Sequence, residues 1–329
     1  MAISAVADNY TLTPREKEQM LNEADDWIDD MPDGLQDKLS DAVEHSLRGF
    51  FNELTYFRAQ GIADSTAYPE VKSTIKTVDN SNINICVYNS QKSGNKPSDL
   101  LIYFHGGGWT MGSVKAYDNF CRALISKNPN VMVASVDYPL APEKSYQEII
   151  SGCENAVNFL SSIFPGLNIS LAGDGAGGNL ALSTFFILNK KEPSFKIESI
   201  ILYYPLLTVS PDFKSKAWKE FSRGYGLDGR VMEAFLKAYD NPAASGNFIE
   251  SFSELSPDLI RKLPPTLIIM SERDIVIDDN RNFADLLNKN GVNVKSVEFS
   301  GAIHGFIADL HQPTAFNKAI DLTSAFLSE

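Results

Sequence analysis

Two rhythms of apolar residues divide the chain. Over residues 13–65 the spacing is helical. Thr13-Pro14-Arg15-Glu16 is a helix start, with a Thr cap, Pro at the first helical position and Glu three residues after the cap. Met20, Leu21, Ala24, Trp27 and Ile28 follow at helical steps, and Met31-Pro32-Asp33-Gly34 breaks the run. A second stretch carries Leu35, Leu39, Val43, Leu47, Phe50, Phe51 and Leu54 at steps of three and four, with acidic residues on its other sides. This amphipathic pair needs an apolar surface to cover. It reads equally as a lid over a pocket and as an ordinary packing layer.

From residue 70 the rhythm changes. Val71 to Val78 and Ile83 to Tyr88 predict two strands joined by a hairpin-type turn at Asp79-Asn80-Ser81-Asn82. Six further apolar runs follow, at residues 100–104, 131–136, 169–171, 200–203, 267–270 and 294–299. Helical segments lie between and after them, near residues 116–127, 145–163, 178–190, 279–290 and 313–327. This alternation predicts an α/β fold: a mostly parallel, doubly wound sheet of eight strands. Residues 205–256 interrupt it with Pro, Gly and the aromatics Trp218, Phe221, Tyr225, Phe235 and Tyr239. They predict an insertion above the strand ends, where such sheets bind ligands. The expected division is a cap from residues 1–65 and 205–256, and a core from residues 66–204 and 257–329.

Composition narrows the partners more than the fold. The 329 residues are 43% apolar and 22% charged, as in a soluble globular protein. Net charge is −13, which argues against nucleic acid or an anionic membrane as partner. Cys86, Cys121 and Cys153 are sparse and odd in number, and they read as buried thiols of a reducing compartment. Residues 1–15 lack a secretory pattern and no apolar run reaches the length of a membrane span, so the expected location is the cytoplasm. Neither a metal-ligand cluster nor a nucleotide fingerprint occurs, so no cofactor is implied.

Two glycine-rich turns carry the chemistry. His105-Gly106-Gly107-Gly108-Trp109 follows a predicted strand. Consecutive glycines let backbone N–H groups turn into a pocket, where they can hold the oxyanion formed when an ester carbonyl is attacked. A plain tight turn is the other reading; a phosphate loop is not, because no Walker or Gly-x-Gly-x-x-Gly pattern is present. The second turn is Gly173-Asp174-Gly175-Ala176-Gly177-Gly178-Asn179, between a strand and a helix. Strand, tight turn and helix are the setting of a nucleophile in the pattern Gly-x-Ser-x-Gly. The centre here is Gly175, which has no side chain to attack with.

With these turns the chain resembles the hormone-sensitive-lipase-like family of α/β-hydrolases, esterases with a His-Gly-Gly-Gly loop. Six matches run in order. They are His105 to Trp109 with Gly112-Ser113; Asp137-Tyr138-Pro139-Leu140-Ala141-Pro142-Glu143; Gly173 to Asn179; Leu263-Pro264-Pro265-Thr266; Asp274; and His304-Gly305-Phe306. The resemblance implies the α/β-hydrolase fold with a helical cap, and a Ser-His-Asp mechanism on esters of short or medium acyl chains. It implies oxyanion donors at Gly106, Gly107 and Ala176, His304 as base, Asp274 as its acid, and the nucleophile position at Gly175. Asp278 is the second candidate for the acid, although Asp278 and Asp279 read better as helix-start residues. His105 is expected to hold the glycine loop, and Trp109 to line an apolar substrate pocket. His45 and His311 belong to no motif.

Gly175 leaves three readings. The first is a carboxylesterase scaffold that lost its nucleophile and little else. The second is a non-hydrolytic enzyme, for elimination, dehydration or cyclisation, with the His304–Asp274 pair as base. The third is a small-molecule receptor, as in the plant gibberellin receptor, a lineage that gave up the base.

Overall fold

The computed structural model describes residues 10–59, 67–79, 81–91, 96–209, 211–239, 251–308 and 311–329. The N-terminus to residue 9, the end of the expected first helical region, Asn80 in the hairpin turn and residues 240–250 of the expected insertion lie outside them.

Three helices come first: α1 (Pro14–Asp30), α2 (Leu35–Ser46) and α3 (Asn52–Ala59). Thr13 and Glu16 form the expected capping box on α1, with bonds of 3.2 Å and 2.7 Å. The second helical stretch is not one helix. It ends at Ser46 and restarts at Asn52, and Gly49 between them has φ 88°. Leu47 and Phe50 therefore fall in the connection and stay exposed, at 43% and 69%. Their spacing continued the helical rhythm, but spacing alone does not reveal a break between two short helices.

The sheet then builds from β1 (Val71–Thr77), β2 (Asn84–Ser90), β3 (Asp99–Phe104), β4 (Val131–Asp137), β5 (Asn168–Asp174), β6 (Ile197–Tyr203), β7 (Thr266–Arg273) and β8 (Val294–Ile303). Its order is β1-β2-β4-β3-β5-β6-β7-β8. β2 pairs antiparallel with both β1 and β4, and every later pairing is parallel. The connecting helices are α4 (Asp118–Lys127), α5 (Tyr146–Ile163), α6 (Ala176–Lys190), α7 (Lys216–Phe221), α8 (Gly229–Tyr239), α9 (Pro257–Ile260), α10 (Ile277–Lys289) and α11 (Pro313–Phe326).

The central strands β3 to β7 bury both faces, as parallel strands do, whereas the edge strand β1 is exposed beyond Val71. In β3, Leu100, Ile102 and Phe104 join one apolar cluster while Leu101 and Tyr103 join the other. Helices α5, α6 and α10 cover the first face, and α4 and α11 the second. The N-terminal helices split between two tasks. α1 lies along β8 and α11, with Met20 and Ala24 buried. α2 lies on α8. Among the described residues no helix is long and apolar enough to cross a membrane.

Candidate active site

Strand β5 ends at Asp174 and α6 starts at Ala176, so the chain reverses at Gly175 alone. Gly175 has φ 50° and ψ −115°, a conformation that suits glycine. Its N–H donates to the Tyr203 carbonyl at 2.9 Å and its carbonyl accepts from the Leu206 N–H at 2.9 Å. Such a turn brings α6 hard against the end of β3. A Cβ on Gly177 would run into the Phe104 carbonyl. A Cβ on Gly175 would meet something else: the His304 ring, with Nε2 at 3.2 Å and Cε1 at 3.7 Å.

His304 and Asp274 are adjacent because β7 and β8 are parallel neighbours. Arg273 pairs with Ile303, so the next residue of each strand leaves the sheet at the same place. Asp274 Oδ2 accepts from His304 Nδ1 at 2.6 Å. Asp274 Oδ1 accepts from the Val276 N–H at 3.1 Å, which fixes the carboxylate. Asp274 is 1% exposed and the His304 side chain 14%. The Tyr204 ring packs 4.6 Å from the imidazole. Its hydroxyl accepts from the Ile307 N–H at 3.1 Å, which ties the loop after His304 to the end of β6. Asp278 is engaged elsewhere, its Oδ2 accepting from the Ala217 N–H at 2.9 Å at the start of α7. Asp279, beside it in the first turn of α10, is pushed up to about 6 by burial and by the Asp278 and Asp212 charges.

The glycine loop leaves β3 beside the elbow, since Phe104 pairs with Gly173. Its donors are not all free. The Gly106 N–H donates to Asp174 Oδ1 at 2.7 Å, so Gly106 is already committed. Gly107, Gly108 and Ala176 line the cavity, and among the described residues their N–H groups meet no acceptor. Asp174 also accepts from the Tyr103 and Tyr117 hydroxyls at 2.6 Å and 3.0 Å, and from Tyr204 at 3.4 Å. Burial raises its carboxyl above the usual range, against these hydrogen bonds. His105 is buried and stacks on Tyr138 at 4.2 Å. Burial pushes its imidazole down to about 4, so it is neutral and donates from Nδ1 to the Gly106 carbonyl at 2.8 Å. His105 thus holds the loop from one side and Asp174 from the other.

Trp109 does not line the cavity. It is fully buried, its ring stacked 4.1 Å from Tyr239 of α8. Phe235 of α8, one helical turn before Tyr239, takes the place expected of Trp109 and packs on Gly108. The cavity holds about 180 Å³. Its floor is the elbow, the glycine loop and His304; its roof is Leu39 of α2 with Val231 and Phe235 of α8. Gly108, Asp174 and Phe235 all stood inside recognised segments, but only folding shows which of their atoms face the cavity. Among the described residues no three His, Cys, Asp or Glu side chains gather in a metal-binding arrangement.

The pattern of the α/β hydrolase fold matches residues 101–308, which spans β3, the elbow, Asp274 and His304. The chain is similar to a protein of Acanthamoeba polyphaga mimivirus named after the same fold, 31% identical over 255 residues, covering 75% of this chain and 71% of that one. It is similar to the versiconal hemiacetal acetate esterase of Aspergillus parasiticus, 30% identical over 226 residues, covering 67% of this chain and 69% of that one. Among solved structures, the hyperthermophilic esterase from the archaeon Pyrobaculum calidifontis superposes with a TM-score of 0.69 at 26% identity, over 95% of this chain and 97% of that one. The chain belongs to the α/β-hydrolase fold family, among the hormone-sensitive-lipase-like esterases.

Proposed function

We propose that this site is built to hydrolyse small carboxylic esters with short or medium acyl chains, and that Gly175 stands where the attacking serine belongs. One observation carries the reading. A side chain on Gly175 would start 3.2 Å from His304 Nε2, with Asp274 hydrogen-bonded to the far side of the same imidazole. That is the geometry of nucleophile, base and orienting acid. Gly107, Gly108 and Ala176 supply the oxyanion donors; Gly106 gives up the role expected of it and anchors the loop to Asp174. The roof of α2 and α8 serves as the cap. A cavity of about 180 Å³ lies below the roughly 300–1,000 Å³ of pockets for drug-sized ligands, which favours a small substrate.

Losing the nucleophile lowers turnover by about 10⁶ in serine hydrolases of this logic. Gly175→Ser is therefore expected to raise hydrolysis of p-nitrophenyl acetate and butyrate far above that of the unaltered chain, and His304→Ala to abolish the gain. A folded Gly175→Ser protein without esterase activity would sink the reading. The intact His304–Asp274 pair, at 2.6 Å, favours a second reading: a base for elimination, dehydration or cyclisation. Turnover of a non-ester substrate by the unaltered chain, stopped by His304→Ala, would establish it. The receptor reading lacks support of this kind, because the base that lineage gave up is present here.

A further inference from the structure

The space beside Gly175 has a definite shape and one chemical neighbour. Apart from the residues flanking Gly175, the only heavy atoms among the described residues within 4 Å of its Cβ position are Nε2 and Cε1 of His304. Nδ1 donates to Asp274, so in the neutral ring Nε2 is the acceptor and faces that space. Gly107, Gly108 and Ala176, whose N–H groups meet no acceptor among the described residues, line the same cavity. We infer that the chain, with Gly175 as it stands, is itself a slow ester hydrolase that works by single displacement, with a water molecule at Gly175 as the nucleophile. The inference rests on the ester-site reading above and adds an activity to it.

Each part of the step has an owner. The water donates a hydrogen bond to Nε2 from about the place a Cβ would occupy. Its oxygen attacks the ester carbonyl carbon, and the carbonyl electron pair moves onto oxygen, facing the loop and elbow N–H groups. The water proton passes to Nε2, and Asp274 stabilises the imidazolium. The tetrahedral adduct collapses and expels the alkoxide, which takes the proton from Nε2. Acid and alcohol leave, His304 is neutral again, and no acyl group is ever bonded to the protein. Glycine is needed for this chemistry. Alanine would put an inert methyl group 3.2 Å from Nε2 and exclude the water.

The test is a series at position 175 with p-nitrophenyl acetate. The unaltered chain is expected to exceed the buffer rate by about 10⁵-fold, the roughly 10³-fold left by oxyanion donors and binding alone multiplied by about 10² from the base-activated water. Gly175→Ala should fall below it by about 10² or more, and His304→Ala likewise, on the scale of general-base catalysis. Gly175→Ser should rise far above it. Pretreatment with a fluorophosphonate should leave the unaltered chain's rate unchanged and should inactivate Gly175→Ser. Equal rates for Gly and Ala at position 175, indifference to His304→Ala, or loss of the unaltered chain's activity to the fluorophosphonate would each overturn the inference. Failure of a folded Gly175→Ser protein would instead overturn the ester-site reading. Serine and alanine impose the same backbone strain, so a folded serine variant certifies the alanine one. If both misfold, His304→Ala and the fluorophosphonate still decide.

Discussion

The floor of the cavity comes from strand ends, and its roof comes from two helices some 190 residues apart in sequence. On the floor, sheet register sets position. Phe104 beside Gly173 aligns the glycine loop with the elbow, and Arg273 beside Ile303 aligns Asp274 with His304. Buried hydrogen bonds then lock each group, from Gly106 to Asp174 and from Val276 to Asp274. The roof is held differently. Arg230 of α8 pairs with Asp37 and Asp41 of α2 at 3.0 Å and 2.6 Å, and Lys237 with Glu44 at 3.0 Å, all at the surface. Gln36 donates to the Gly226 carbonyl at 2.8 Å. Solvated pairs of this kind add little stability and are weakened by salt. The chemistry is thus set by strand register and buried hydrogen bonds, and the roof over it by apolar packing of Val43, Val231 and Phe235 with surface pairs around it.

That contrast predicts a gradient of effects. The largest belong to the floor. In a Gly175→Ser background, His304→Ala should lower kcat by about 10⁶ and Asp274→Asn by about 10⁴, measured on p-nitrophenyl butyrate. The roof residue that touches the floor comes next. Phe235→Ala removes a buried ring from Gly108 and should cost roughly 3–5 kcal/mol in denaturant unfolding. In the same serine background it should also move the preferred acyl chain from acetate toward octanoate. An unchanged chain-length profile would show that Phe235 does not bound the acyl site.

A smaller effect tests how the loop is held. His105 stays neutral in the fold down to about 4, whereas in the unfolded chain it takes up a proton near 6.5. Between those values the unfolded state binds more protons, so stability falls as pH falls, by about 3 kcal/mol in all. Asp174 and Asp279, whose carboxyls are raised, act in the opposite direction as they protonate. The His105 contribution is therefore the difference between the unaltered chain and His105→Asn across that range. Equal slopes would remove His105 from the account. The smallest effect is reserved for the roof's surface pairs. Arg230→Ala with Lys237→Ala should leave the melting temperature nearly unchanged and alter KM more than kcat. A collapse of the fold would mean that the cover is as structural as the floor.

The same contrast separates what was legible from what was not. The floor could be read from the chain because each of its residues follows a strand directly, and strands announce themselves by local apolar runs. Asp274, His304, Gly175 and Ala176 are all strand-end residues or their neighbours. The partner of the Gly106 N–H was not legible, since Asp174 lies 68 residues away and a glycine spacing does not say which acceptor will meet it. Trp109, together with the aromatic-rich insertion, suggests an apolar pocket on composition alone. Burial against Tyr239 satisfies the Trp109 ring equally well. For α2 the periodicity marked a face to be covered, and only folding showed that α8 covers it.

The central claim is that the site lacks a nucleophile and nothing else. Phosphonylation of Gly175→Ser by a fluorophosphonate, followed by intact mass, tests this most directly. The positive φ at that position should cost the variant roughly 1–3 kcal/mol without unfolding it. The account predicts one adduct per chain, on the substituted residue, formed rapidly and lost when His304→Ala is added. A folded Gly175→Ser protein that takes up no adduct would contradict it.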